Sequence, residues 1–190
     1  MYLKQKFNGL LEVITGPMFS GKSAELLKRI KILDIAEIKT LIIKPQIDNR
    51  FSESNIVSRT GAQIKANVVT KAADILKLWD KHYQAVAIDE ANFLDAELLN
   101  VIDYLIAQGV RVICSGLDTD FLRRPFGIMP EIMAIADSIA KLKAVCVKCK
   151  SNAGFSFRKV KSNELNLIGD SEYEARCRIC HIQGEQEKQK

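Results

Sequence analysis

Gly16-Pro17-Met18-Phe19-Ser20-Gly21-Lys22-Ser23 decides how this chain folds. The stretch follows the apolar run Leu10–Ile14. It opens Ser23–Ile35, where Leu26, Leu27, Ile30 and Leu33 recur at helical spacing. Strand, Gly-rich loop and helix in that order are the setting that the pattern G-x-x-x-x-G-K-[ST] requires to bind phosphate. Glycine lets backbone N–H groups close around phosphate oxygens with no Cβ in the way. The helix N-terminus adds positive potential. In this pattern Lys22 reaches the β- and γ-phosphates and the Ser23 hydroxyl binds Mg²⁺. The bland alternative is a Gly-rich turn that binds nothing.

Outward from the loop, apolar runs and helical patterns alternate. Thr40–Lys44 is a β-branched strand closed by Pro45, and Gln84–Asp89 and Arg111–Leu117 are further strands. Lys71–Trp79, Asp95–Gln108 and Pro130–Ser138 read as helices, the second stopped by Gly109 and the third carrying Pro in its first turn. Gln46–Gln63 is polar and weakly periodic and reads as a long loop, of a kind that is often functional. Ile139–Val145 reads as one strand. This alternation implies an α/β fold, a parallel sheet with helices on both faces. After Val145 the pattern changes, and Gly, Asn, Ser and charged residues take over. The expected division is therefore a nucleotide-binding domain over 1–143 and a small second domain over 144–190. Gly184–Lys190 is expected to be a frayed tail.

The chain has 190 residues, 47% of them apolar and 27% charged, which excludes a disordered chain. Its apolar runs fall far short of the roughly 20 residues that span a bilayer. Met1–Gly9 has no signal-peptide core. A soluble, cytoplasmic protein is expected, with no membrane partner. A net charge of +5 suits an anionic ligand such as a nucleotide and is too modest to argue for nucleic acid.

Two further groups carry chemistry. The strand Gln84–Ile88 ends in Asp89-Glu90. In phosphate-loop proteins an acid at the end of a neighbouring strand holds Mg²⁺, which suits Asp89. Glu90 then handles a proton; the alternatives are that it caps the strand or polarises a water. No Asn-Lys-x-Asp run selects guanine, which leaves ATP. Cys146-Val-Lys-Cys149 and Cys177-Arg-Ile-Cys180 are separated by 27 residues. Four thiolates make a closed tetrahedral zinc shell, so the metal would be structural. Redox pairing is the alternative, and His181 competes with Cys180 as fourth ligand. Cys114, inside an apolar run, reads as an inert buried thiol, and Trp79 and His82 as structural.

These residues together resemble the zinc-containing thymidine kinases, over about residues 9–181. Lys44-Pro-Gln-Ile-Asp48-Asn-Arg50 is similar to that family's K-P-x-x-D-x-R, and Asp89-Glu-Ala-Asn92-Phe93 to its D-E-A-Q-F. Gly116-Leu-Asp-Thr-Asp-Phe121, with Arg124-Pro-Phe-Gly127, resembles its G-L-D-x-D-F…P-F-G. Tyr173 with Cys177-Arg-Ile-Cys180 resembles its Y-x-x-x-C-R-x-C. The resemblance implies a RecA-like phosphate-loop sheet and a zinc domain with a lasso, here about Ser162–Glu172, that closes over thymidine and reads the base through its backbone. It implies transfer of the ATP γ-phosphate to the 5′-hydroxyl of thymidine or deoxyuridine, giving dTMP in deoxynucleoside salvage, with Glu90 accepting the hydroxyl proton. Gly16 to Ser23, Asp48, Arg50, Asp89 and Asn92 match positions around the nucleotide and its metal. Met18, Phe93, Leu117, Phe121, Ser156, Ile168, Gly169 and Tyr173 match positions around the nucleoside. A homotetramer is implied as well. Asn92 stands where Gln is usual, Arg59 where His is common, and Asp170 where the lasso often has a small residue.

Two rival classes remain at this point. One is a phosphate-loop ATPase that remodels a partner. The other is a zinc-ribbon module that binds nucleic acid; against it, the basic residues of 148–161 are followed by Glu164, Asp170, Glu172 and Glu174 instead of forming a dense stripe.

Overall fold

Leu10–Thr15 (β1) is the fifth of six strands in a sheet, paired in parallel with a strand on either side. The computed structural model describes residues 9–46, 55–57, 61, 63–160, 167, 169 and 171–188. After β1 come Lys22–Ile35 (α1), Thr40–Pro45 (β2), Asn55–Val57 (β3), Gln63–Lys65 (β4), Asn67–Val69 (β5), Asp74–Leu78 (α2) and Ala85–Ile88 (β6). A 3-10 turn at Ala91–Phe93, then Leu98–Ala107 (α3), Arg111–Gly116 (β7), Met129–Ala134 (α4) and Ser138–Lys141 (β8) complete the sheet region. Ala144–Val145 (β9), Asn152–Ala153 (β10), Phe155–Arg158 (β11), Tyr173–Arg176 (β12) and Arg178–Lys188 (α5) follow. The sheet order is β5-β2-β6-β7-β1-β8, and every pairing in it is parallel.

Strand periodicity sends alternate residues to opposite faces. Val86, Ile88, Val112 and Cys114 join Ile75 of α2, Leu98, Ile102 and Leu105 of α3, and Met129 and Ile132 of α4 in one apolar layer. Ala85, Ala87, Ile14 and Ile113 face the other way, against Leu26, Ile30 and Leu33 of α1. Each large aliphatic chain withdrawn from water this way contributes about 1.5–3 kcal/mol. Across the sheet, Glu12 of β1 pairs with Arg111 of β7 at 2.5 Å and with Arg29 of α1 at 2.8 Å, which pins the first helix to its strand. The parallel sheet with helices on both faces is as the sequence led us to expect.

Several elements differ from the expectation. The long loop over 46–63 contains β3, which pairs antiparallel with β4; three residues are too few to show alternation, but Ile56 is buried beneath α1. The helices expected over 71–79 and 95–108 are shorter at both ends, and the one expected over 130–138 begins at Met129 and stops at Ala134. The stretch over 139–145 is not one strand. Leu142 N–H donates to the Thr15 carbonyl at 2.7 Å, the chain turns, and β9 pairs with β10. The frayed tail is instead the second half of α5 as far as Lys188. A Cβ at Gly184 would collide with Arg176 and Phe157, so the glycine lets the helix pack tightly, and Lys188 bonds the Arg158 carbonyl and Glu185.

Candidate active site

The carboxyl ends of β1, β6 and β7 carry the residues that bear chemistry. Gly21 sits at the N-cap of α1 with φ 84°, a left-handed conformation that favours glycine, and no side chain caps the helix. A helix N-terminus without a side-chain cap suits an anionic ligand. Lys22 is buried, and its Nζ donates to the Pro17 carbonyl at 3.0 Å, as does Ser20 Oγ at 2.8 Å. The loop thus folds around its own lysine. Met18 N–H donates to Ser156 Oγ at 2.9 Å, and Phe19 packs on Ala144, Cys146, Ala153 and Ala175, so the outer limb of the loop rests on the C-terminal segment.

Asp89 and Glu90 follow β6. The sequence suggests that this strand lies beside β1, but β7 lies between them. The gap is nonetheless closed, because Ser23 Oγ donates to Asp89 Oδ2 at 3.4 Å. Asp89 is buried, and its Oδ1 has no hydrogen-bond partner among the described residues. Burial pushes its carboxyl up. The Ser115 hydroxyl, the Glu90 N–H and the charges of Lys22 and Lys44 pull the other way without overcoming it. An orphaned carboxylate oxygen beside a serine hydroxyl is a donor set suited to a hard divalent cation. Glu90 has φ 51° and ψ 40°, a conformation that costs a non-glycine residue about 1–3 kcal/mol and persists only where the surroundings impose it. It opens the 3-10 turn that carries Asn92 and Phe93.

That turn braces the loop after β7. Asn92 is buried, and its Oδ1 accepts from Leu117 N–H at 3.0 Å. A Cβ at Gly127, whose φ is 54°, would collide with the Asn92 carbonyl, so only glycine lets the two loops meet. Phe93 stands edge-on to Phe126, with ring centroids 5.7 Å apart. Asp120 ties the loop from within, its Oδ1 accepting from Leu122 and Arg124 N–H, both at 2.8 Å. Asp118 reaches Lys141 at 2.6 Å, across the start of the phosphate loop.

The four cysteines converge. The sulfurs of Cys146, Cys149, Cys177 and Cys180 all lie within 4.8 Å of one another, and Cys149 and Cys177 are 3.6 Å apart. Zinc–sulfur bonds of about 2.3 Å in a tetrahedron place sulfurs about 3.8 Å apart. Four thiols this close cannot all ionise unaided. The Cys177 sulfur foremost pushes the Cys180 thiol up to about 12. The Ser151 hydroxyl draws Cys149 down, and the Cys180 N–H draws Cys177 down. Burial works against ionisation of Cys146, but backbone N–H groups outweigh it. A dication removes this conflict, so the residues fit zinc. His181, the competing ligand, is turned elsewhere: its Nε2 donates to the Phe121 carbonyl at 2.9 Å. Cys114 is buried in the sheet, which pushes its thiol up to about 12, as expected of an inert residue.

Comparison with known proteins now bears on this arrangement. The family model for thymidine kinase matches residues 9–181. The chain is 54% identical to a thymidine kinase of Mycoplasma mobile over 99% of this chain and 94% of that one. It is 52% identical to a thymidine kinase of Metamycoplasma arthritidis over 97% and 96%, and 53% identical to one of Mesomycoplasma hyopneumoniae over 94% and 98%. The chain belongs to the thymidine kinase family. As a thymidine kinase it uses ATP and takes a nucleoside, and among the described residues no helix is long and apolar enough to cross a membrane.

Within this family member the expected site residues fall into linked groups. Ser23 meets Asp89, Met18 meets Ser156, and Asn92 meets Leu117. Phe121 and Tyr173 are brought onto one guanidinium, that of Arg158. Asp48, Arg50 and Ile168 lie outside the described residues, as do Arg59 and Asp170; of the lasso expected over 162–172, residues 167, 169, 171 and 172 are described. Sequence reasoning missed Arg158 and the Asp118–Lys141 pair, and weighed His181 only as a metal ligand, not as a partner of the Phe121 carbonyl. Arg158 had a signal, since it stands two residues from Ser156 and so shares its face of one short strand. The Asp118–Lys141 pair joins loops whose adjacency only the sheet order creates.

Proposed function

We propose that this thymidine kinase transfers the γ-phosphate of ATP to the 5′-hydroxyl of thymidine, with deoxyuridine as a second acceptor. The contact between Ser23 and Asp89 carries the reading, because it joins the phosphate loop to the acid pair in a chain of this family. Lys22, the loop from Gly16 to Ser23, and Asp48, Arg50 and Asn92 take the nucleotide. Ser23 and Asp89 would hold Mg²⁺, which when bound offsets charge on the phosphates. Glu90 receives the hydroxyl proton. Because the transition state is loose, that proton leaves late, when the oxygen is already acidic, and a carboxylate suffices. Met18, Phe93, Leu117, Phe121, Ser156, Ile168, Gly169 and Tyr173 enclose the nucleoside and exclude the water that would otherwise consume ATP.

The four cysteines would hold zinc as a closed, structural shell. In this reading residues 1–143 form the nucleotide domain and 144–190 the zinc and lasso domain. The enzyme is cytoplasmic and assembles as a homotetramer, as the family resemblance implies. A base read through backbone N–H and C=O groups excludes deoxycytidine, whose N3 and C4 present the opposite hydrogen-bonding pattern; sites built this way discriminate by about 10⁴ or more. A nucleoside panel with ATP and Mg²⁺ tests the proposal. Phosphorylation of thymidine and deoxyuridine with deoxycytidine refused is the expected result, and ATP turnover indifferent to thymidine contradicts it.

A further inference from the structure

Arg158, the last residue of β11, is 1% exposed and heads the fully buried side chains of the described residues in size. A guanidinium keeps its charge in a protein, and burying a charge is costly unless its N–H groups and faces are occupied. It is opposite Tyr173 in the β11–β12 pair. Its Nε and Nη2 both donate to the Tyr173 hydroxyl, at 3.1 and 2.7 Å. That hydroxyl donates onward to the Leu167 carbonyl at 2.9 Å. The guanidinium carbon lies over the Phe121 ring, 3.6 Å from its centroid. The Phe121 carbonyl is gripped separately by His181 Nε2. The loop after β7, both strands of the small sheet and Leu167 therefore meet at one side chain.

We infer that Arg158 is a positioning residue for the nucleoside site. It covers one face of the Phe121 ring, and through Tyr173 it anchors Leu167, so the walls around the base are set before the nucleoside arrives. The inference rests on the proposed placing of Phe121 and Tyr173 around thymidine. Arginine suits the task because a planar group can stack with its face while its edge donates two hydrogen bonds that converge on one hydroxyl. A lysine ammonium is a point charge and cannot do both. Preset walls lower the ordering cost of binding, so their loss is read in the nucleoside KM.

Steady-state kinetics of full-length Arg158→Lys, Tyr173→Phe and the double variant test this. The expected result is a thymidine KM raised about 10-fold or more in Arg158→Lys, with the ATP KM held within about twofold. The double variant should be little worse than Arg158→Lys, because both changes cut the same link. An unchanged thymidine KM, thymidine and ATP KM values rising together, or fully additive effects would overturn the inference. Should Arg158→Lys fail to fold, Tyr173→Phe alone decides it: a thymidine-specific rise in KM supports the link and an unchanged value rejects it. A wild-type protein that does not phosphorylate thymidine overturns the proposed function, and this inference with it. Normal wild-type turnover with an unmoved thymidine KM in Arg158→Lys overturns the inference alone.

Discussion

Val86, Ile88, Val112 and Leu105 in the sheet region are fully withdrawn from water, whereas the cysteine-bearing segment gathers its core from Ala144, Cys146, Ala153 and Ala175 and leaves Val145, Val147, Ile179 and Ile182 exposed. Ordering one residue of backbone costs about 1–2 kcal/mol, and a buried methylene returns only about 0.8. Two layers of aliphatic side chains meet that cost in the sheet; three alanines and a cysteine do not. The segment relies instead on four sulfurs and on charges laid over rings, with Arg176 3.4 Å and Lys188 Nζ 4.0 Å from the Phe157 centroid. The phosphate loop springs from the first kind of structure, and Ser156 and Tyr173 from the second. In the proposed reading the nucleotide rests on the first kind of structure alone, whereas the nucleoside also needs the second, so perturbations should separate the two substrates.

Removing the metal is the largest such perturbation. Structural zinc contributes on the order of 10–16 kcal/mol to small modules of this type. Chelation, or Cys177→Ser, should abolish amide-exchange protection over 144–158 and 173–188 while 85–88 and 111–116 stay protected. Untreated protein should contain about one zinc per chain. Uniform loss of protection, or none, would erase the contrast between the regions. Next in size is Glu90→Gln, expected to lower kcat by about 10²-fold or more with ATP affinity preserved. A near-normal kcat would remove Glu90 from the chemistry.

Leu105→Ala opens a cavity under α3 and should cost about 2–5 kcal/mol in urea unfolding, with zinc content unchanged. Loss of zinc from that variant would mean that the two regions fold as one unit. The smallest effect is expected of Ser156→Ala, which deprives Met18 N–H of its acceptor at about 1–3 kcal/mol. It should raise the thymidine KM severalfold with little change in the thermal unfolding of the sheet, and an unchanged KM would show that the link between loop and β11 is idle.

The sheet region was legible because its signals are local and repeated. Gly16 to Ser23, the apolar strand before Asp89 and the helical spacing in α1 each name their element on their own. The paired C-x-x-C spacing likewise named the four cysteines that converge. What escaped was created by folding over distance. Only the order β5-β2-β6-β7-β1-β8 shows that β7 separates β1 from β6, and only the packing of α5 explains why polar residues 184–188 are helical. Gly184 was expected to open a frayed tail and is instead a point of close approach. Arg158 escaped because its partners, Phe121 and Tyr173, lie 37 and 15 residues away along the chain.

The division between the two regions is tested most directly by binding each substrate separately to protein with and without its metal. Calorimetric titration of a non-hydrolysable ATP analogue and of thymidine, before and after zinc removal, isolates the two sites. Metal-free protein is predicted to keep its affinity for the ATP analogue, because Gly21 to Ser23 ride on α1 and the sheet, and to lose thymidine. Thymidine bound equally well with and without zinc would contradict the account.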